Sequence, residues 1–451
     1  MNHRIISKKG LNIPIAGDAI AKIDGISIDN GLVAVVPIDF YWLTLKPKIK
    51  QGEKVKAGDV LLYDKKDERI KVTSPVSGVV ESINRGEKRR ILSVVVKKEN
   101  DEYKQFNTIN EHASAEQIKE VLLESGLWTG IRQRPFDIIA EPDTMPEAIY
   151  VHTSDTSPLA QDYNFTLQND FEYFVKGVEV LSKLATKTYL TINANRKYDL
   201  LDKINIEGVE KVFVKGPHPA GNISTIAQKI TPINKDNKIW YVKPWTTVFI
   251  GRLALTGRLD MTKIVGLVGP EVKRPMYYRI GAGFMMKDLV KDKINDEYET
   301  RIISGSVLTG RNAGIDGFDG IYNDMVSVIK EGKYEEFMGW VMPGLKKYSP
   351  SRMFFSWLLH SKKRKYSFDT NFHGEERPFV IPEISEKYVA VDILPSFLLK
   401  SIIAEDFNMI EKLGIYEVVP EDFALMEYAC VSKINIQEIV TKGIELILKD
   451  N

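Results

Sequence analysis

At 451 residues the chain is too long for one compact core, and the usual domain size of about 100–200 residues divides it into two to four. Hydrophobic residues make up 43 % and charged residues 27 %, the balance of a globular protein, which favours neither a disordered nor a membrane-embedded chain. Lys and Arg number 62 against 61 Asp and Glu, for a net charge of +1, so no global field gathers nucleic acid.

Cys430 is the only cysteine, which excludes an internal disulfide and any all-thiolate zinc or iron–sulfur site. No apolar run reaches the ~18–20 residues that cross a bilayer, and MNHRIISKKGLNIPIAG lacks the apolar core of a signal peptide. A cytoplasmic location is expected.

Along 1–100, short β-rich runs at 33–36, 60–63, 79–83 and 91–96 alternate with glycines, the pattern of a small all-β domain. GEKVKAGDVLLY (52–63) and SPVSGVVESI (74–83) each place a turn glycine before alternating apolar residues, and together they resemble the hairpins of biotinyl and lipoyl carrier domains. A working carrier needs a modifiable lysine at the hairpin tip, where Lys65 and Lys66 lie. Their setting, DKKDER, departs from the carrier tip and reads better as a solvated charged turn.

Residues 101–258 change period. Ser114 and Gln117 form a capping box ahead of Ile118, Val121 and Leu122, and Gly126 stands where the helix must stop. Strand signals at 149–151, 189–192 and 212–214 bracket a helical series, Phe171, Phe174, Val175, Val178, Leu181 and Leu184. This alternation predicts a Rossmann-like parallel sheet, whose strand-end loops are the places for ligands. Two are polar and turn-rich, HTSDTSP (152–158) and KGPHPAG (215–221), the latter nominating Gly216, Pro217, His218 and Pro219.

Residues 259–330 carry short apolar runs at 264–268 and 302–308 among closely spaced glycines, the expectation for a β-grasp domain. Residues 331–451 are more helical, with an apolar run at 394–403 and Ile436, Ile439, Val440 and Ile447 on one face. The fold class is thus α/β multidomain: a biotinyl/lipoyl-like β domain at 1–100, a Rossmann-like domain at 101–258, a β-grasp domain at 259–330 and a mainly helical domain at 331–451.

Catalytic signatures are absent. Gly305 and Gly310 have P-loop spacing, but Arg311 and Asn312 stand where Lys and Ser or Thr are required, and Gly314, Gly317 and Gly320 miss the dinucleotide pattern. The six histidines form no H-E-x-x-H pair, there is no G-x-S-x-G elbow, and Cys430 lies in the apolar stretch FALMEYACV, where an inert buried thiol is expected. No metal site and no catalytic residue are assigned.

Two segments stand out. SGLWTGIRQRPF (125–136) gathers Trp128, Arg132, Arg134 and Phe136 just past a helix end, a set able to stack on a flat quinone or flavin and donate to its carbonyls, or else to bond neighbouring carboxylates. MFFSWLLHSKKRKYSF (353–368) sets Trp357 before Lys362, Lys363, Arg364 and Lys365, a candidate for docking on a membrane surface or a membrane partner, or an ordinary solvated helix end.

Taken together, KKGLNIPIAG (8–17), VKAGDVL (55–61), SPVSGVVESINRGEKR (74–89), SGLWTGIRQRPF, GPHPAG (216–221), IGRLALTGRL (250–259), RIISGSVLTG (301–310), GW (339–340) and VDILPSFLLK (391–400) closely resemble the NqrA family of the Na+-translocating NADH:quinone reductase, nearly end to end. The resemblance implies a peripheral cytoplasmic subunit of a six-subunit bacterial membrane complex that passes electrons from NADH to quinone and exports Na+. It further implies no firmly bound cofactor in this chain, flavins and an iron–sulfur centre in partner subunits B to F, and a connection with the quinone end of the path. The family is similar to the RnfC component of the Rnf electron-transfer complex and to the flavin-carrying component of respiratory complex I, whose FMN loop and cysteine runs are missing here. Near Cys430 the family's Cys-Pro-Gly-Lys is replaced by Cys-Val-Ser-Lys. The alternative from another class is a self-sufficient flavin- or NAD-binding oxidoreductase.

Overall fold

The computed structural model describes residues 2–26, 31–333, 342–358, 364–379 and 386–450. Its centre is a seven-stranded sheet in the order Asn2–Ile6, Val209–Lys215, Thr188–Asn193, Ala148–Thr153, Ile239–Val242, Ile131–Arg134, Ile138–Ile139. The first five strands pair in parallel, Ile131–Arg134 pairs antiparallel with Ile239–Val242, and Ile138–Ile139 pairs antiparallel with Ile131–Arg134. Parallel strands are buried on both faces, which is why they read as apolar runs.

One face, with Ile149, Val151, Leu190, Ile192 and Trp240, packs beneath the helices Phe171–Ser182 and Pro244–Thr256. These helices cross so closely that a methyl at Gly177 would overlap the Thr247 carbonyl, and one at Gly251 the Tyr173 carbonyl. The other face, with Tyr150, Tyr189, Val212 and Tyr241, is covered by the helix Ile223–Ile230.

The expected helix spans Ala115–Ser125: Ser114 Oγ accepts from Gln117 N, the Gln117 side chain accepts from Ser114 N, and Gly126 ends it at φ 81°. Here local chemistry alone fixed both ends.

Two small sheets lie face to face near the amino terminus, one of Leu32–Val35, Ile91–Asn100, Ser77–Arg85 and Lys54–Val55, the other of Leu45–Pro47, Val60–Asp64 and Lys71–Thr73. Lys65 and Lys66 lie exposed in the turn between the last two strands, where Asp64 Oδ2 accepts from the backbone of Lys66 and Asp67.

Two strands at the start of the chain pair outside these two small sheets. Asn2–Ile6 pairs with Val209–Lys215 in the parallel sheet, and Ile20–Gly25 pairs with Met276–Gly281 in a six-stranded sheet with Thr262–Val268, Met325–Lys330, Thr300–Ser304 and Arg311–Asn312. The first 25 residues thus contribute a strand to each of the two larger sheets.

That six-stranded sheet holds a buried cation. Lys263 Nζ donates to Asp319 Oδ2 at 2.8 Å and to the carbonyls of Gly320 (3.0 Å), Ile321 (2.9 Å) and Asn323, with both side chains fully buried. Beside this clamp Tyr322 reaches Thr129 Oγ1 at 2.5 Å, and Asp39 Oδ2 accepts from Ile321 N, so one loop ties the six-stranded sheet to Thr129 and to Asp39.

Burial pushes the Asp39 carboxyl up to about 6, against the opposing charge of Arg311. Because the folded value is the higher one, folding favours the protonated acid, and that stabilisation is complete below about pH 4 and lost as pH rises through 6. Asp39→Asn should therefore match the parent in acid and exceed it at pH 8 by up to roughly 2 kcal/mol after screening. Urea midpoints at pH 4.5 and 8 check this, and parallel pH profiles would count against it.

The carboxy-terminal helices Pro395–Ile403, Phe407–Lys412, Ala424–Ala429 and Ile436–Asp450 enclose their own core, with Leu398, Leu399, Ile402, Phe423, Met426 and Val440. Phe136 and Trp42 pack against that core, so this unit is seated where the antiparallel edge of the parallel sheet begins.

Candidate functional site

Side chains alternate along Ile131–Arg134. Ile131 and Gln133 turn to the face beneath Phe171–Ser182 and Pro244–Thr256, where Gln133 Oε1 accepts from Trp240 Nε1 at 3.1 Å. Arg132 and Arg134 turn to the other face, which they share with Tyr241, the partner of Arg132 in register.

The Arg134 guanidinium lies 5.2 Å from the Tyr241 ring centroid and donates from Nη2 to Glu421 Oε1 at 2.7 Å. It is 1 % exposed, and its Nε and Nη1 have no hydrogen-bond partner. Arg132 pairs with Asp137 Oδ2 at 3.1 Å, and Tyr241 donates its hydroxyl to Asp137 Oδ1 at 2.6 Å. The Tyr41 ring lies over the outer side of Arg132.

Phe136 (φ 77°) and Asp137 (φ 56°) both take the left-handed conformation, which costs a non-glycine residue about 1–3 kcal/mol and persists only where the surroundings impose it. The two arginines hold Asp137, and the Phe136 ring rests 5.4 Å from Tyr416.

Three acids meet these cations. Burial raises Asp137, but Arg132 and Arg134 outweigh it and hold it below the usual carboxylate range. Crowding by protein pushes Glu421 up to about 7, although 40 % of its side chain is exposed; Arg134 opposes this shift while Asp422 and Asp137 add to it. Asp422, raised mainly by burial, accepts from Asn222 Nδ2 at 2.9 Å.

Asn222 follows GPHPAG, so the seam joins the two sequence-nominated loops. The His152 ring stands edge-on to Tyr241 at 6.5 Å and bonds the Gly221 carbonyl at 2.8 Å. Thr156 Oγ1 accepts from Gly221 N and pairs with His218 Nδ1 at 3.3 Å. Burial lowers His152 and takes His218 down to about 4, so both imidazoles are neutral at pH 7. Gly216 is pinned by Asn195 through both its N–H and its carbonyl, Pro217 is half-buried, and Pro219 is buried.

The nominated residues therefore separate. Arg134, Arg132 and Phe136 line the seam, whereas Trp128 is wholly interior: its Nε1 donates to the Ala140 carbonyl at 2.7 Å and its ring meets Trp240 edge to face. It seats the strand and offers no open stacking surface. His218 lies at the far end of the seam. Tyr241, Asp137, Glu421, Asp422 and Asn222 were not foreseen; the signal for Glu421 and Asp422 is their place in VVPED, at a helical amino terminus facing inward.

Of the docking candidates, Trp357 is exposed, Arg364 donates to the Leu345 carbonyl and stacks on Tyr366, and Lys365 pairs with Asp18. Lys362 and Lys363 lie outside the described residues. Among the described residues no cluster of three or more His, Cys, Asp or Glu could hold a metal ion.

Residues 5–99 match the NqrA N-terminal barrel-sandwich hybrid domain, residues 113–259 the NqrA second alpha/beta domain, and residues 264–314 the NQRA C-terminal domain. The A-type subunit of the Na(+)-translocating NADH-quinone reductase of Pasteurella multocida is 36 % identical over 454 residues, covering 99 % of this chain and 100 % of that protein. Its namesake from Actinobacillus pleuropneumoniae serotype 5b is 37 % identical over 99 % of this chain and 100 % of its own. That from Neisseria gonorrhoeae is 36 % identical over 98 % and 99 %. Among solved structures, the NAD+-reducing nickel–iron hydrogenase overlays with a TM-score of 0.37 at 10 % identity, over 68 % of this chain and 55 % of that one.

Proposed function

Because this chain belongs to the NqrA family of the Na+-translocating NADH-quinone reductases, we propose that it is a peripheral subunit of such a complex, placed at the cytoplasmic face of the membrane. The reaction belongs to the complex: NADH is oxidised, quinone is reduced to quinol, and Na+ is exported. This protein's part is assembly and quinone access, while flavins and the iron–sulfur centre reside in partner subunits B to F. Its single cysteine supports that division, since an all-thiolate cluster needs four. Among the described residues no helix is long and apolar enough to cross a membrane, which accords with peripheral attachment.

Within this reading, 101–258 is the Rossmann-like domain, 259–330 the β-grasp domain and 331–451 the helical domain through which the chain meets its partners. The parallel strand order supports the first assignment and the enclosed helical core supports the last.

The observation that carries quinone access is Arg134, a buried guanidinium with two nitrogens lacking acceptors beside the flat face of Tyr241. A buried donor without a partner costs about 1–3 kcal/mol, and a quinone carbonyl is an acceptor of the kind it lacks. Arg132 and Phe136 stand beside it, and His218 with Gly216, Pro217 and Pro219 lies at the other end of the seam.

The reading is tested by isolating the tagged protein from its native membranes in mild detergent and identifying what accompanies it. Recovery of membrane subunits together with flavin absorbance is expected. A lone coloured protein would instead favour the self-sufficient flavin or NAD enzyme.

A further inference from the structure

Between Glu336 and Asp369 the sequence has no Asp or Glu, while Lys and Arg occur at 346, 347, 352 and 362–365. In a chain with nearly equal numbers of acids and bases, this stretch has a single sign.

Its described part folds as an excursion bonded to itself. Phe355 N donates to the Pro343 carbonyl at 2.9 Å, Ser356 Oγ to that of Lys347 at 2.5 Å, and Arg364 Nη2 to that of Leu345 at 2.7 Å. One aromatic set turns inward, where Tyr348, Tyr366 and Phe368 pack with centroids 5.5–6.4 Å apart. Another set stays outside: Met342, Leu345, Met353, Phe355, Trp357 and Leu358 are 45–77 % exposed. Lys346 and Arg352 are exposed among them.

Scattered surface apolar residues need no explanation, but so many large ones on a single excursion mark a contact surface. An acidic protein would answer the cations and leave the apolar side chains without purpose, and an apolar protein groove would leave the cations without purpose. An anionic bilayer surface answers both, with phosphates outside and acyl chains about 5–10 Å beneath. We propose that residues 342–358, with Arg364 beside them, form a membrane-contact surface for anionic phospholipid. Phe355, Trp357 and Leu358 enter the headgroup–acyl boundary, and Lys346 and Arg352 lie against the phosphates.

The test is co-sedimentation of the full chain with vesicles of phosphatidylglycerol and phosphatidylcholine, and with phosphatidylcholine alone. Preferential binding to the anionic vesicles is expected, weakening as salt shortens the screening length from about 10 Å at 0.1 M to about 3 Å at 1 M. Each basic residue at such a surface contributes ~1 kcal/mol, so Lys346→Ala with Arg352→Ala should weaken partitioning roughly thirtyfold. Phe355→Ser with Trp357→Ser should also weaken it, with circular dichroism unchanged in both variants because the replaced side chains are exposed.

Absence of anionic-vesicle binding by the parent chain would overturn the proposal, as would equal binding by parent and variants. Loss of binding to purified membrane subunits by variants of a chain that ignores vesicles would also overturn it, by assigning the surface to a protein. The inference rests on the peripheral-subunit reading only for the presence of a membrane; recovery of partners from native membranes tests that reading separately and can succeed while vesicle binding fails.

Discussion

Arg134→Ala is expected to loosen the carboxy-terminal helical unit by roughly 3 kcal/mol, because it leaves Asp422 buried and Glu421 half-buried without their arginine. The variant leaves Asp137 with Arg132 and takes from Glu421 and Asp422 the arginine that opposes their upward shifts. Glu421 should then take up its proton at higher pH than before, since Arg134 is the cation that opposes its upward shift. Arg134→Lys should fall between, keeping the charge but losing the planar fork and the stacking on Tyr241. Adding Glu421→Gln to Arg134→Ala should restore part of the loss.

Hydrogen exchange over 386–450 reads the seam directly. Protection unchanged in Arg134→Ala would mean that the seam is held by its apolar contacts alone. In the assembled complex, Arg132→Ala with Arg134→Ala should weaken labelling by a quinone analogue or raise the apparent quinone requirement; unchanged labelling and kinetics in a stably assembled variant would remove the quinone-access claim.

A comparable loss, about 3–5 kcal/mol, is expected for Lys263→Met. The ammonium group satisfies one carboxylate and three carbonyls, and both it and Asp319 are fully buried. Its removal leaves Asp319 buried beside Ser304 with its main counter-charge gone. Lys263→Met with Asp319→Asn should cost less than Lys263→Met alone, since the second change removes the stranded charge. Chemical denaturation measures both, with loop 317–323 expected to lose exchange protection first. A loss below about 1 kcal/mol would show that the clamp is not what orders that loop.

These two sites divide by how far their partners lie along the chain. The helix Ala115–Ser125 was legible to the residue because Ser114, Gln117 and Gly126 act locally. The parallel strands were legible as apolar runs, though not their order. Nothing in NHRII foretells that His3 will lie opposite Val212, and nothing near Arg134 points to Glu421, 287 residues away. Such pairings are set by tertiary packing.

Trp128 illustrates a different limit. Its neighbours Arg132 and Arg134 made the loop read as a surface, yet the chain tucks the indole against Trp240 before turning the arginines to the opposite face. Lys263 is the reverse case, a signal present but unread. In TKIVGLV, period-two alternation puts it on the face of Val265 and Leu267, both fully buried, and a lysine there requires a dedicated set of acceptors.

Membership of a working Na+-translocating NADH-quinone reductase is the property on which every functional assignment above depends. The most direct test is the Na+-stimulated NADH:quinone reductase activity of membranes from cells lacking the chain, measured before and after it is restored. Loss of that activity on deletion and its return with the parent sequence is the predicted result. Full Na+-stimulated activity in membranes without the chain would contradict the assignment.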